Sequence, residues 1–81
     1  MKVADGFEEA FVGIGMKAAS EDVAVYDYDT CASVLISRDG MSADEAYEYL
    51  DFNVVGAYVG PDTPMFIHKQ SYDETMEQYS S

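Results

Sequence analysis

The sequence predicts an α+β fold: a small antiparallel sheet, made of a β-hairpin and a third strand, covered by a helical hairpin in the order β-β-α-α-β, with a possible C-terminal helix. Alternating apolar residues at 10–16 and a short apolar run at 23–26 indicate two strands. Two segments with apolar residues at helical spacing follow. The length of 81 residues corresponds to one domain, 1–81.

The first predicted strand is "AFVGIGM", residues 10–16. One of its faces carries Ala10, Val12, Ile14 and Met16. The polar stretch "KAASED" then separates it from "VAVY", residues 23–26. Two short strands with a short connection are typical of an antiparallel hairpin.

The first predicted helix begins at the run "YDYD", where Asp27 or Asp29 can act as the N-cap. Its apolar side chains recur at i, i+3, i+4 and i+7, and they are Tyr28, Cys31, Ala32 and Leu35. Arg38 suits the last turn of this helix, and Gly40 can end it in a left-handed conformation.

The second helix is predicted over about 43–58. "SADE" is a capping box, with Ser42 as the cap and Glu45 reaching back to it. One apolar face then continues through Ala43, Ala46, Tyr47, Leu50, Val54 and Ala57. A strand over 52–59 is the alternative, and the unbroken phase of the apolar face favours the helix.

The third predicted strand is "MFIH", residues 65–68, which follows two prolines. The remaining segment, 69–81, contains a second capping signal, "SYDE". A helix of about nine residues is marginal alone, so this tail is either docked by Tyr72, Met76 and Tyr79 or frayed.

Charge excludes several classes of function. Sixteen acidic residues against four basic ones give a net charge of −12. Binding to nucleic acid or to anionic lipid needs a basic face, which this sequence lacks. A partner with a basic surface is electrostatically favoured, and a homodimer is a further possibility. The chain also lacks a signal peptide and the apolar stretch of about 20 residues that spans a bilayer, so a cytoplasmic location is expected.

Three motifs could carry chemistry. "GIGMKA" has the outline of a dinucleotide-binding loop, but only seven residues, "MKAASED", lie between its second glycine and the next strand. Asp22, Asp27 and Asp29 could form a loose site for Mg²⁺ or Mn²⁺, although capping and solvation explain the same residues. Cys31 and His68 lack a third group to orient them as a nucleophile pair. We therefore predict no catalytic residue and no cofactor.

Three segments, "VYDYDTC", "RDGMSADEAYEYLDFNVVGAYVG" and "TPMFI", resemble a family of small, uncharacterised proteins carried by bacteriophages and some bacteria. The resemblance covers roughly residues 5–68. It implies a phage-related origin and expression in the cytoplasm of the host. The family brings no established activity, so the resemblance assigns no catalytic residue.

The function predicted from these observations is that of a non-enzymatic acidic interaction protein, a modulator or inhibitor of a host protein with a basic surface. The interaction residues would be Asp44, Glu48 and Asp51, which lie off the apolar face of the second helix. The alternative is a small metal-dependent hydrolase that uses the clustered carboxylates.

Overall fold

A computed structural model describes residues 1–58 and 60–79 and confirms the α+β fold and the predicted order of elements. Its strands are β1 (Phe11–Gly15), β2 (Val23–Asp27) and β3 (Met65–Ile67). Its α-helices are α1 (Tyr28–Asp39), α2 (Ala43–Tyr49) and α3 (Tyr72–Tyr79). Within these described ranges, no helix is long and apolar enough to cross a membrane.

The sheet is mixed, which corrects the prediction of an antiparallel sheet. Its strand order is β1-β2-β3. The β1–β2 hairpin is antiparallel as predicted, but β3 runs parallel to β2, with Tyr26 opposite Phe66. The physical reason is the crossover: two helices separate β2 from β3 and return the chain to the end at which β2 began.

The second helical segment is continuous but changes its winding. After α2 the backbone forms one π-helical stretch, Leu50–Val54, and then a short 3-10 turn, Val55–Ala57. Tyr58 is extended and ends the segment. The helix was therefore the right alternative through Ala57, and position 59 of the contested 52–59 stretch lies outside the described residues.

The core lies between one face of the sheet and the two helices. From α1 it takes Cys31, Ala32, Val34 and Leu35. The second helical segment contributes Ala46, Leu50 and Val54, whereas Ala43 and Ala57, also predicted to face inward, are exposed. Residues Ala4, Phe7 and Ala10 complete the core from the N-terminal segment, which the sequence pattern did not indicate.

The predicted apolar face of the first strand does not enter the core. Ala10 belongs to a 3-10 turn before β1 and is buried, but Val12, Ile14 and Met16 are exposed. The register between β1 and β2 shifts between Phe11 and Gly13, which is a bulge that interrupts the alternation.

The C-terminal segment forms a helix rather than a frayed tail over the part that the structure describes. Ser71 caps it, because its hydroxyl accepts a hydrogen bond from the backbone N–H of Glu74 at 3.1 Å. The three residues expected to dock it, Tyr72, Met76 and Tyr79, are all exposed. Positions 80 and 81 of the predicted tail lie outside the described residues.

We expect Ser42→Ala to lower the free energy of unfolding by about 1 kcal/mol, the usual cost of a lost N-cap. Both halves of the predicted capping box are present: the Glu45 N–H donates to the Ser42 hydroxyl at 3.2 Å, and the Ser42 N–H donates to the Glu45 carboxylate at 3.0 Å. Urea denaturation followed by circular dichroism measures the effect. An unchanged midpoint would mean that this cap does not stabilise the folded chain.

Candidate functional site

The parallel pairing of β2 and β3 brings polar residues from distant parts of the chain to one edge of the sheet. Asp27 ends β2 and is paired with Ile67, which ends β3. Asp29 follows β2, whereas His68 and Lys69 follow β3. These three side chains and Asp27 therefore meet at this edge. The carboxyl ends of parallel strands are where α/β proteins most often place a site.

Two tyrosines and two carboxylates link α1 to the second helical segment at this edge. The Tyr28 hydroxyl donates a hydrogen bond to Asp51 at 2.5 Å. The Tyr47 hydroxyl donates one to Asp29 at 2.8 Å. The rings of Tyr28 and Tyr47 also contact each other, with their centroids 5.4 Å apart. We call Tyr28, Asp29, Tyr47 and Asp51 the tyrosine–carboxylate cluster.

This arrangement changes how Asp51 is interpreted. It was predicted to belong with Asp44 and Glu48 on an exposed acidic face. The Asp51 side chain is exposed, but its carboxylate accepts the hydrogen bond from Tyr28 and so lies on the side that faces α1. Asp51 therefore helps to fix the helical hairpin.

Asp27 is the N-cap residue of α1 by position, but its side chain makes no hydrogen bond to the helix backbone. One carboxylate oxygen instead accepts a hydrogen bond from the Thr30 hydroxyl at 2.8 Å and lies 3.8 Å from the Lys69 ammonium. The other oxygen is buried without a hydrogen-bond partner among the described residues. The side-chain cap predicted for Asp27 or Asp29 is therefore wrong, although Asp27 does occupy the N-cap position.

The three carboxylates proposed as metal ligands are not assembled in the structure. Asp22 precedes β2 and Asp27 ends it. Five residues of extended chain separate them by roughly 17 Å at the usual rise of a strand. Among residues 1–58 and 60–79, no group of three or more histidine, cysteine or acidic side chains could hold a metal ion.

Cys31 and His68 differ in their access to solvent. Cys31 is fully buried on α1, and burial, with a smaller contribution from the nearby Asp27 charge, raises the pKa of its thiol to about 11. A buried thiol with a raised pKa is a poor nucleophile. The exposed His68 ring packs edge-on against Tyr28, and its Nδ1 lies 4.0 Å from an Asp29 carboxylate oxygen.

One glycine of "GIGMKA", Gly15, serves the packing of the sheet. Gly13 and Gly15 lie in and at the end of β1, and no helix lies between β1 and β2 in the structure. A Cβ atom at Gly15 would lie 2.9 Å from a methyl group of Val25 on the neighbouring strand. The Val25 side chain occupies the space that Gly15 leaves open. This packing explains the glycine, and no bound nucleotide is needed to account for it.

The outer face of the second helical segment is acidic and partly aromatic. Asp44, Glu45 and Glu48 are exposed there, together with Phe52, whose side chain is 75% exposed. A groove of about 460 Å³ lies on this face and is lined by Met41, Glu45, Glu48, Tyr49, Phe52 and Asn53. We call Asp44, Glu45, Glu48, Tyr49 and Phe52 the acidic face.

We expect high pH to destabilise the fold partly through Tyr28. Burial, and then the hydrogen bond to Asp51, raises the pKa of its phenol from 10.0 to about 12. A raised pKa means that the folded state favours the neutral phenol. The stabilisation is fully present below pH 10 and is lost as the pH rises through about 12.

The measurement is the urea midpoint at successive pH values across that window. Tyr28→Phe should show a smaller loss of stability than the wild type, whereas Tyr72→Phe, at an exposed position on α3, should behave as the wild type. An identical alkaline loss in both variants would contradict the role assigned to Tyr28.

A scan against models of protein families, a search of curated proteins and a search of solved structures each found no match. The function proposed below therefore depends on no matched protein.

Sequence reasoning missed His68 and Lys69 as neighbours of Asp27 and Asp29. The signal that could have found them is the connection between β2 and β3. Two helices fill it, and a helical crossover is the usual way to join parallel strands. Parallel strands place their carboxyl ends at the same edge.

Proposed function

We propose that the protein is a non-enzymatic interaction module that uses the acidic face to bind a protein with a basic surface. In keeping with the resemblance to proteins carried by bacteriophages, we propose that this partner is a protein of the bacterial host, that it is met in the cytoplasm, and that binding inhibits or modulates it.

One observation carries this proposal: the acidic face has no basic residue near it in the sequence. Residues 39–67 contain six carboxylates, at Asp39, Asp44, Glu45, Glu48, Asp51 and Asp62, and no lysine, arginine or histidine. Asp51 and Asp62 are engaged, by Tyr28 and Lys2 respectively, and Asp39 pairs with Arg38. Asp44, Glu45 and Glu48 form no ion pair within the described part of the chain.

The groove gives this charge a shape that fits a cationic side chain. Glu45 and Glu48 line it beside the rings of Tyr49 and Phe52. A guanidinium group is attracted both by carboxylates and by the face of an aromatic ring. Arginine is also more weakly hydrated than lysine and stacks better on aromatic rings. The acidic face therefore suits an arginine-bearing segment better than a lysine-bearing one.

The test compares two charge-matched variants. Asp44→Asn with Glu48→Gln removes two carboxylates from the acidic face. Asp73→Asn with Glu77→Gln removes two at the same spacing from α3, which is also exposed. An arginine-rich peptide is the first probe, and the host protein recovered by affinity capture is the second.

We expect the acidic-face variant to slow association by roughly tenfold at low salt, because attraction between opposite charges acts mainly on the association rate. The α3 variant should bind nearly as the wild type does. Higher salt should remove most of the difference, since exposed charges are screened beyond about 8–10 Å near physiological ionic strength. Equal slowing in both variants would mean that the association rate depends only on net charge. That result would contradict a defined binding face.

Phe52→Ala tests the aromatic part of the face separately. Phe52 is exposed, so its removal should leave the fold intact. It should weaken binding of the arginine-rich peptide more than binding of a lysine-rich peptide of equal charge. Equal weakening of both would mean that the ring contributes no preference for arginine.

A further inference from the structure

We propose that a cavity between the N-terminal segment and the start of β1 binds a methylated ammonium group, such as the head group of choline. The cavity has a volume of about 300 Å³, and it is lined by Val3, Ala4, Asp5, Glu8, Phe11 and Tyr26. We call it the N-terminal cavity. It shares no residue with the acidic face, and the inference does not depend on the proposed function.

Two aromatic rings line one side of the N-terminal cavity. Phe11 and Tyr26 are partners across β1 and β2, with ring centroids 5.6 Å apart and ring planes at 76°. Phe11 is 47% exposed, so a ligand can reach its ring, whereas Tyr26 is 3% exposed and lies deeper. Aromatic rings attract cations, and sites for quaternary ammonium ligands are commonly built from several rings.

The opening of the cavity is negatively charged. Asp5 and Glu8 line it, and both are exposed. Neither carboxylate forms an ion pair among residues 1–58 and 60–79. Burial raises the pKa of Tyr58, and the Asp5 charge adds to that rise, so this carboxylate lies close to the aromatic residues. The opening therefore attracts a cation and repels an anion.

Arg38 does not neutralise this opening, because its guanidinium is engaged by other groups. It donates two hydrogen bonds to the Asp39 carboxylate, both at 3.1 Å, and one to the Gly6 carbonyl at 2.8 Å. The hydrogen bond to Asp39 is the main cause of the raised pKa of Arg38, and the charge of Glu8 is a lesser cause. Glu8 therefore remains available to a cation from solution.

The backbone and hydroxyl groups beside the cavity favour a cation without N–H donors. The Tyr26 hydroxyl oxygen already accepts a hydrogen bond from the Ala4 N–H at 2.9 Å, and the Val3 carbonyl accepts one from the Tyr58 hydroxyl at 3.2 Å. A lysine or arginine head group that entered past the carboxylates would lose hydrogen bonds to water, which costs free energy. A quaternary ammonium has no N–H group to satisfy, so the rings and the two carboxylates are sufficient to hold it.

The size of the cavity fits the same ligand class. Its volume of about 300 Å³ is at the lower end of the range for small-molecule sites. A single head group therefore fits better than an extended ligand.

The test is a titration of the full chain with choline at low salt, followed by NMR. We expect saturable shifts of the backbone amide signals of Asp5, Glu8 and Phe11, and an upfield shift of the choline N-methyl signal caused by the nearby rings. The comparison ligand is 3,3-dimethylbutanol, which has the shape of choline without its charge. It should bind roughly tenfold more weakly, because it loses the attraction of the rings and carboxylates for a cation. Equal binding of the two ligands, or amide shifts that do not saturate, would overturn the proposal.

Two ring variants locate the site. Phe11→Leu removes the accessible ring but keeps an apolar side chain, and it should weaken choline binding by roughly tenfold. Tyr72→Leu removes a ring that is 76% exposed on α3 and should leave binding unchanged. Circular dichroism checks that each variant is folded. Choline binding that is insensitive to Phe11→Leu but lost in Phe52→Leu would place the ligand on the acidic face and overturn the assignment.

A charge-matched pair tests the two carboxylates without removing a packed ring. Asp5→Asn with Glu8→Gln should weaken choline binding by roughly threefold to tenfold, because two partly exposed attractions are lost. Asp73→Asn with Glu77→Gln makes the same change in net charge on α3 and should have little effect. Equal weakening in both double variants would mean that choline responds only to net charge, which contradicts a defined site.

Two further ligands examine the sign of the field and the source of the group. Betaine has the same head group as choline but carries a carboxylate, so Asp5 and Glu8 should make it bind more weakly than choline. A short peptide with one trimethyllysine presents the head group on a protein side chain. Tighter binding of choline supports the site with a small-molecule ligand, and tighter binding of the peptide supports it with a protein ligand. Betaine that binds as tightly as choline would contradict the role of the carboxylates.

Discussion

Leu50→Ala is expected to lower the free energy of unfolding by about 2–5 kcal/mol, the range for a buried leucine cut back to alanine. Leu50 is fully buried at the point where α2 passes into the π-helical stretch, and it belongs to the same core as Leu35 and Ala46. A domain of this size has a total stability on the order of 4–12 kcal/mol. A substantial fraction of the variant molecules is therefore expected to be unfolded at 37 °C.

Urea denaturation followed by circular dichroism measures this loss, and Val55→Ala is the control. Val55 lies on the same helical segment but is exposed, so its truncation should change stability by no more than about 0.5 kcal/mol. If Leu50→Ala were as stable as the wild type, the packing of this segment against α1 would be wrong.

Tyr26→Ala is expected to cost about 3–5 kcal/mol, the range for a buried aromatic residue. The Tyr26 side chain is only 3% exposed on the central strand. Its ring packs against Phe66 and Phe11, with centroids 5.8 Å and 5.6 Å away. Tyr26 therefore joins all three strands on the side of the sheet that faces the core.

Tyr26→Phe separates the hydroxyl from the ring. The Tyr26 hydroxyl oxygen accepts a hydrogen bond from the backbone N–H of Ala4 at 2.9 Å, in a buried position. Its removal leaves that N–H without a partner, which should cost about 1–3 kcal/mol. Hydrogen exchange should show faster exchange at Ala4 in this variant. Unchanged exchange would mean that the hydroxyl does not hold the N-terminal segment.

The tyrosine–carboxylate cluster has a structural role in the helical hairpin. Each of its tyrosines donates to a carboxylate on the other helical segment, so the pairs hold the helical hairpin closed. The hydrogen bond to Asp29 is also the main cause of the raised pKa of Tyr47. These contacts account for the "YDYD" run, which would otherwise suggest a catalytic or metal site.

The sequence by itself determined the features that depend on neighbouring residues. The capping box at Ser42, the N-cap at Ser71, the glycine at the end of α1 and the inward positions of Cys31, Leu35 and Leu50 could all be predicted. Each depends on a few adjacent backbone groups or on one helical period, so the local residues are sufficient. The net charge and the positions of the acidic residues of α2 likewise follow directly from the sequence.

Only the tertiary structure decided which distant residues meet. The parallel pairing of β3 brings His68 and Lys69 to Asp29 and Asp27. The Tyr28 contact draws Asp51 towards α1, and a bulge shifts the register of β1 on β2. Such contacts depend on strand direction, register and packing between elements. A shift of one residue in register moves a side chain to the other face of a sheet, and no local pattern records that choice.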